Sequence, residues 1–435
     1  MQFKLTKEER NWVLYDVGNS AFTLLVSTIM PIYFNYLAGN AGLSEVDYMA
    51  YWGYAASIAT MVVALMGPIC GTLADTKGYK KPIFVASLVI GAVGCISLGF
   101  AKNWLLFLII YIIAKIGYSG SLIFYDSMLS DVTKTERMDN VSSQGYAWGY
   151  IGSCVPFIIS LVIVLGSDAI GISMGTAMTI AFIITAAWWI FMTLPLLKIY
   201  QQKNYVEKKP NAIKESFGRL VRTFQNVRKE KKVFLFLLAF FFYIDGVYTI
   251  IDMATAYGTA LGLDSTGLLL ALLVTQLVAF PFAIIFGRLA QKYEAEKLIM
   301  VCIVAYFGIA VFAMFLATQL QFWILAIFVG MFQGGIQALS RSYFTKIIPA
   351  NQSGEYFGLM DICGKGASFM GTTVVSVVSQ LTGSVNKGVG MIALMFVIGI
   401  LLFRCAVRVE DANSCEEVEI GKQTQDRFKV MRELE

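Results

Sequence analysis

Lys115 and Asp245 each stand deep inside an apolar stretch of the length that crosses a bilayer, about 20 residues. An ionisable side chain at such a centre costs about 2.5–3.5 kcal/mol on insertion scales, so it persists where it borders a wet cavity or meets a partner. Other polar groups join them at helical spacing. One stretch aligns Asp16, Asn19, Ser20, Thr23 and Ser27. A second aligns Lys115, Tyr118, Ser119 and Asp126, with Lys115 eleven residues from Trp104, about 16 Å along a helix. A third aligns Asp245, Tyr248, Thr249 and Asp252, a fourth Gln333, Gln337 and Ser340, and a fifth Asp361, Lys365, Ser368 and Thr372.

These types can bind a small polar solute and move a proton. A lysine such as Lys115 or Lys365 suits a carboxylate; Asp16 or Asp245 suits an ammonium. A carboxyl group kept from water can exchange a proton near neutral pH, which makes Asp245 and Asp126 candidates for proton coupling. Plainer readings stand beside these. Asp361 and Lys365 are four apart and can neutralise each other on one helix. Asp16 and Asp126 can be helix-end residues, Asp252 an interfacial one, and Lys115 and Asp245 can form a structural pair. The residues expected to face the pathway are Asp16, Asn19, Lys115, Asp126, Asp245, Gln333, Gln337 and Lys365.

The elements that position them follow from composition. The chain has 435 residues, 57% hydrophobic and 14% charged, against about 25% charged in ordinary soluble proteins. Twelve runs are long enough to span a membrane: 12–36, 48–74, 82–100, 103–130, 143–165, 173–197, 233–256, 266–290, 297–317, 320–345, 354–380 and 387–408. Loops on one side carry most of the lysine and arginine; the other side has only Lys102 and Lys387. The positive-inside rule then puts both termini in the cytoplasm. With no histidine, His-dependent triads and zinc–His sites are excluded, and no H-E-x-x-H, G-x-S-x-G or P-loop occurs, so an enzyme is not expected. The seven scattered cysteines read as packing residues, as do Gly145, Gly149 and Ser153 at a four-residue spacing.

The chain divides into an N-terminal six-helix bundle (1–197), a basic linker (198–232), a C-terminal six-helix bundle (233–408) and a polar tail (409–435). Lys208, Lys209, Arg219, Arg222 and Arg228 suit the linker to an anionic lipid surface or simply to fixing topology. Gly71-Thr72-Leu73-Ala74-Asp75 recurs as Gly287-Arg288-Leu289-Ala290-Gln291. The copies follow spans two and eight, as expected of a parallel duplication whose halves rock about a central site.

The loop Gly71-x-Leu-Ala-Asp75-x-x-Gly78-x-Lys80-Lys81 resembles the signature loop of the major facilitator superfamily. Further segments, Tyr15-Asp16-x-x-Asn19-Ser20-Ala21-Phe22, Arg137 to Tyr150, Tyr243 to Ile250, and Gln333 to Ser342, together resemble the "unknown major facilitator" family, which is similar to the fungal vacuolar amino-acid effluxers linked to autophagy. The resemblance implies an all-α membrane fold of twelve transmembrane helices in two six-helix pseudo-repeat bundles. Spans one, four, seven and ten would line the cavity. Gly71, Asp75, Gly78, Lys80, Lys81 and Arg137 would form a conformational latch, with Asp75 against the start of span eleven near Gly354 and Glu355, and Arg137 as an ionic partner.

The expected function is secondary active transport of a small polar solute, an amino acid or other zwitterion, across a bacterial cytoplasmic membrane by alternating access, with protons as a candidate coupling ion. The alternatives are an organic-cation or drug exporter and a non-transporting membrane sensor. Expected partners are the solute, protons and lipid, with no nucleic acid, metal or cofactor, and the chain is expected to act as a monomer.

Overall fold

A computed structural model describes residues 4–43, 45–207, 227 and 230–433; the side chains of 45–50, 255, 256, 259, 260, 265, 266, 269, 365–369 and 410–433 are not described. Most of the basic linker, with Lys208, Lys209, Arg219, Arg222 and Arg228, therefore lies outside the described residues, as do the side chains of Lys365 and of the tail.

Spans one to six run through Lys7–Asn40, Glu45–Ala74, Lys80–Leu98, Trp104–Ser127, Met138–Leu165 and Met174–Ile199. Spans seven to twelve run through Lys231–Ala260, Ser265–Leu289, Ala295–Ala313, Gln319–Ile347, Ser353–Thr382 and Val385–Val409, the last within a helix that continues to Glu433. Among the described residues, 11 of these are long and apolar enough to cross a membrane. Span eleven, the other, is a 30-residue helix and carries Asp361 and Lys365. Met61, Leu65, Val162, Phe191 and Leu320 are each more than 60% exposed, as side chains facing lipid would be.

Local chemistry sets several ends. Thr6 and Glu9 form a reciprocal capping box at the start of span one. Span one breaks at Thr28, where φ is −129° and ψ −69°. Pro31 has no N–H to return to the Ser27 carbonyl, so the ladder cannot continue there. The span expected at 12–36 is thus built from two successive helices, Lys7–Ser27 and Ile29–Asn40.

The two halves repeat one another. Tyr15 and Ser121 share a hydrogen bond of 2.6 Å between spans one and four, and Tyr243 and Ser340 one of 2.7 Å between spans seven and ten. The halves meet through span two on eleven and span five on eight, which the duplication exchanges. Each crossing uses a repeat glycine. A Cβ on Gly71 would stand 2.2 Å from the Gly354 carbonyl oxygen, and one on Gly287 2.7 Å from Cβ of Ser143.

Candidate functional site

The halves are joined most densely at the end carrying the lysine- and arginine-rich loops, here called the basic end. Arg341, on span ten, is 3% exposed and reaches into the other half. Its Nη1 donates to Asp126 Oδ1 at 3.0 Å and to Asp16 Oδ2 at 3.3 Å; its Nη2 donates to the same Asp16 oxygen at 3.3 Å and to the Ser142 carbonyl at 2.9 Å. Nε donates to Ser142 Oγ at 2.9 Å. The five N–H donors of a guanidinium are thereby satisfied. Its charge centre also lies 4.6 Å from the Trp12 ring, 4.4 Å from Tyr146 and 5.5 Å from Tyr125.

Asp16 is held for this role. Tyr125 donates its hydroxyl to Asp16 Oδ2 at 2.7 Å, and Trp12 donates to the Tyr125 carbonyl at 3.1 Å while stacking on its ring. Gly145 leaves the space: a Cβ there would come within 2.3 Å of Asp16 Oδ2. The Gly145–Gly149 spacing is thus more than helix packing. Gly149 does serve the crossing of spans one and five, where a Cβ would meet Asp16 O at 3.2 Å.

Beyond this cluster several polar residues become accessible. Asn19 is buried, but Thr23 and Ser27 further along span one are exposed, as is Asp252 on span seven. Thr23 and Tyr118 share a hydrogen bond of 2.6 Å, which turns Thr23 towards span four. Lys115, half-buried, holds its ammonium 5.4 Å from the Tyr118 ring centre. Gln337, also half-buried, accepts from the Tyr150 hydroxyl at 2.6 Å across the halves; Gln333 beside it is buried. Asp361 lies within electrostatic reach of Tyr118, Asp126 and Tyr248.

Asp245 departs from expectation. It is 0% exposed and does not open on this space. Thr249 donates to its Oδ1 at 3.3 Å and the Gly371 N–H at 3.0 Å, inside its own half. The cause is Gly371: with no side chain there, span eleven seats directly on the carboxylate, where a Cβ would come within 2.4 Å of Oδ1. Oδ2 has no hydrogen-bond partner among the described residues. A Lys115–Asp245 pair is therefore not formed.

At the basic end, Asp75 accepts from the Gly354 and Glu355 N–H groups at 2.8 and 2.9 Å, a carboxylate on the N-terminal turn of span eleven. Lys80 is fully buried, 3.7 Å from both Asp75 and Asp131, and donates to Ser353 Oγ of the other half at 3.0 Å. Gly78 turns the loop at φ +80°. Lys81 lines a shallow hollow with Pro82, Tyr200 and Gln202. Arg137 is engaged elsewhere than expected: it forms a two-pronged pair with Glu9 at 2.7 Å, because the capping box holds that carboxylate at the helix start beside it. Asp139 completes the closure, accepting from Ser342 at 2.7 Å and pairing with Lys346.

The first residues of the linker are strapped to this latch. Asp131 accepts from the backbone N–H of Lys203 and Asn204 at 3.2 and 2.8 Å and from the Tyr200 hydroxyl at 2.6 Å. Burial, and then the Asp131 carboxylate, hold the Tyr200 phenol well above its ordinary pKa, so it stays a donor. Val206 exchanges backbone bonds with Asp75 O and Lys77 N at 2.8 and 3.0 Å.

Arg341 is the residue of this cluster that spacing did not single out. A signal exists: Gln333, Gln337 and Arg341 continue one stripe at four-residue steps. Its position near a basic loop made it look like a topology charge instead.

Twelve helices in two pseudo-equivalent bundles, closed against each other at one end by buried ion pairs, define a transporter of the major facilitator type. Solved structures share the fold. The human organic anion transporter MFSD10 (TETRAN) superposes with a TM-score of 0.71 at 13% identity, covering 92% of this chain and 100% of that one. FucP, a major facilitator transporter crystallised in the outward conformation, gives 0.67 at 14% identity over 92% and 97%. The family described as vacuole effluxer Atg22 like matches residues 5–416, and the chain belongs to it. An uncharacterized MFS-type transporter, YxiO of Bacillus subtilis (strain 168), is 45% identical over 407 residues, covering 92% of this chain and 95% of that protein. Autophagy-related protein 22 of Vanderwaltozyma polyspora is 22% identical, covering 76% and 72%.

Proposed function

We propose that this transporter carries a small zwitterionic solute, an amino acid or a close relative, across the cytoplasmic membrane by alternating access, with the basic end in the cytoplasm. The observation that carries the reading is Arg341. It seals the basic end by satisfying two carboxylates of the other half, while Thr23, Ser27 and Asp252 beyond it are exposed and Lys115 is half-buried. That arrangement is an outward-facing state with a closed cytoplasmic gate. Lys115, half-buried, and Asp126, with a quarter of its side chain exposed beside Arg341, border this space as the groups that would meet a solute carboxylate and a solute ammonium.

Proton coupling is assigned to Asp245, a buried carboxyl group that meets no cation among the described residues. It sits where spans seven and eleven touch, so gain or loss of its charge would alter how those helices pack. Span eleven in turn carries the latch residues Gly354 and Glu355.

The test is flux in proteoliposomes. Purified protein should drive uptake or release of at least one labelled amino acid, and an imposed pH gradient should change the rate. Flux of amphipathic aromatic cations with none of amino acids would favour the drug-exporter alternative, which the Asp126, Asp252 and Asp361 carboxylates around this space support. Ligand binding without flux would overturn the transport reading in favour of a sensor.

A further inference from the structure

The Arg341 side chain occupies a receptor built almost wholly by the other half. Trp12 and Asp16 on span one, Tyr125 and Asp126 on span four, and Ser142 and Tyr146 on span five surround one guanidinium. Aromatic faces and two carboxylates around a cation are the elements of an ammonium or guanidinium binding site. The walls are held by bonds that do not involve Arg341: Tyr125 to Asp16, Trp12 to the Tyr125 backbone, and the Trp12–Tyr125 stack with ring centres 4.4 Å apart. Gly145 supplies the clearance.

When the halves part at the basic end, Arg341 leaves with span ten and the walls stay together. Two carboxylates are then left in an aromatic pocket without their cation, which is unfavourable until another cation enters. Asp126, with its side chain 25% exposed while Asp16 is 7% exposed, borders both this pocket and the open space beyond. A cation expelled by the returning Arg341 therefore has a carboxylate on its way out.

We propose that this cage is the solute site of the inward-open state, that it takes the ammonium or guanidinium group of the solute, and that Arg341 is its built-in competitor. The inference rests on the transport reading and deepens it: the solute must carry a cationic head group, and closure of the basic end ejects it by substitution.

Chemical rescue tests the cage apart from transport. Arg341→Ala, purified as the full chain, should gain several degrees of thermal stability from millimolar ethylguanidinium, relative to equal sodium chloride. Wild type should gain none, and adding Asp16→Asn and Asp126→Asn should abolish the gain. No rescue of the folded single variant overturns the cage. Should Arg341→Ala not fold, Gly71→Val, which keeps the basic end apart by steric clash, carries the test. It should bind agmatine or leucine at least ten-fold more tightly than wild type, and N-acetylated leucine amide no better. Equal binding of the acetylated amide overturns the proposal. Rescue with no flux of any solute leaves the cage and removes the transport reading; flux of cation-free solutes alone keeps transport and removes the cage as its site.

Discussion

Arg341 and Asp126 are 215 residues apart in the chain, and their side chains meet at 3.0 Å across the boundary between the halves. Asp16, 325 residues from Arg341, joins the same guanidinium. One cation thus holds spans one, four and ten at a single point and closes one end of the passage.

Arg341→Ala removes the cation and leaves two carboxylates in a largely dry pocket. Breaking a buried pair from one side costs about 3–5 kcal/mol. That loss falls on the state closed at the basic end, so the open state should become dominant. Spin labels at Lys134 and Ala350, on the rims of the two halves, should move to longer separations by double electron–electron resonance. Asp126→Asn added to the variant should lessen the loss of stability. An unchanged distance distribution would mean that Arg341 is not the gate.

Gly71→Val places a side chain where the Gly354 carbonyl stands 2.2 Å from the added Cβ. Backbone cannot yield there without moving span two from span eleven. The variant should fold, because each half keeps its own packing, but remain apart at the basic end and lose most of its flux. Gly78→Ala gives a control in the same loop. Its φ of +80° imposes local strain of about 1 kcal/mol, with no neighbouring atom to block closure. A Gly71→Val protein with wild-type flux would refute the steric latch.

Asp75→Asn keeps one acceptor for the start of span eleven and loses the charge that faces Lys80 and the helix dipole. A capping interaction of this kind is worth about 0.5–2 kcal/mol. The closed state should weaken by that amount, enough to shift the label distances partway and less than Arg341→Ala does. A larger effect than Arg341→Ala would reverse the ranking of the two contacts.

Asp245→Asn mimics the neutral carboxyl group and cannot be charged. Asn still offers an oxygen to Thr249 and to the Gly371 N–H, so the variant should fold. Wild-type flux should vary with pH as Asp245 gains or loses its proton, and the variant should follow a flat profile over pH 5–8. A variant whose profile matches wild type would remove Asp245 from the coupling path.

Part of the geometry could be read from spacing. The stripes that carry Asp16, Lys115 and Asp126 do lie on spans that border the boundary between the halves, because helical periodicity fixes which residues share a face. The repeat of Gly71 at Gly287 pointed to a duplication, and in the structure both glycines sit at crossings between the halves, each acting through its lack of a side chain. The seat of Asp245 inside its own half was missed for the same reason that Arg341 was overlooked. A face predicted from one helix does not say what the neighbouring helix puts against it, and Gly371 and Asp16 come from far away in the chain. Arg137 was drawn to the wrong carboxylate because the capping box that holds Glu9 is visible only once span one and the loop before span five are side by side.

Run length, hydropathy and the placement of lysine and arginine are properties of local segments, and they determined by themselves that this chain makes twelve spans in two duplicated sets with basic loops at one end. Which carboxylate meets a cation, which is sealed against a glycine, and which end of the passage is shut are contacts between segments remote along the chain. Those contacts depend on how whole helices are rotated and seated against one another, so only the folded arrangement could decide them.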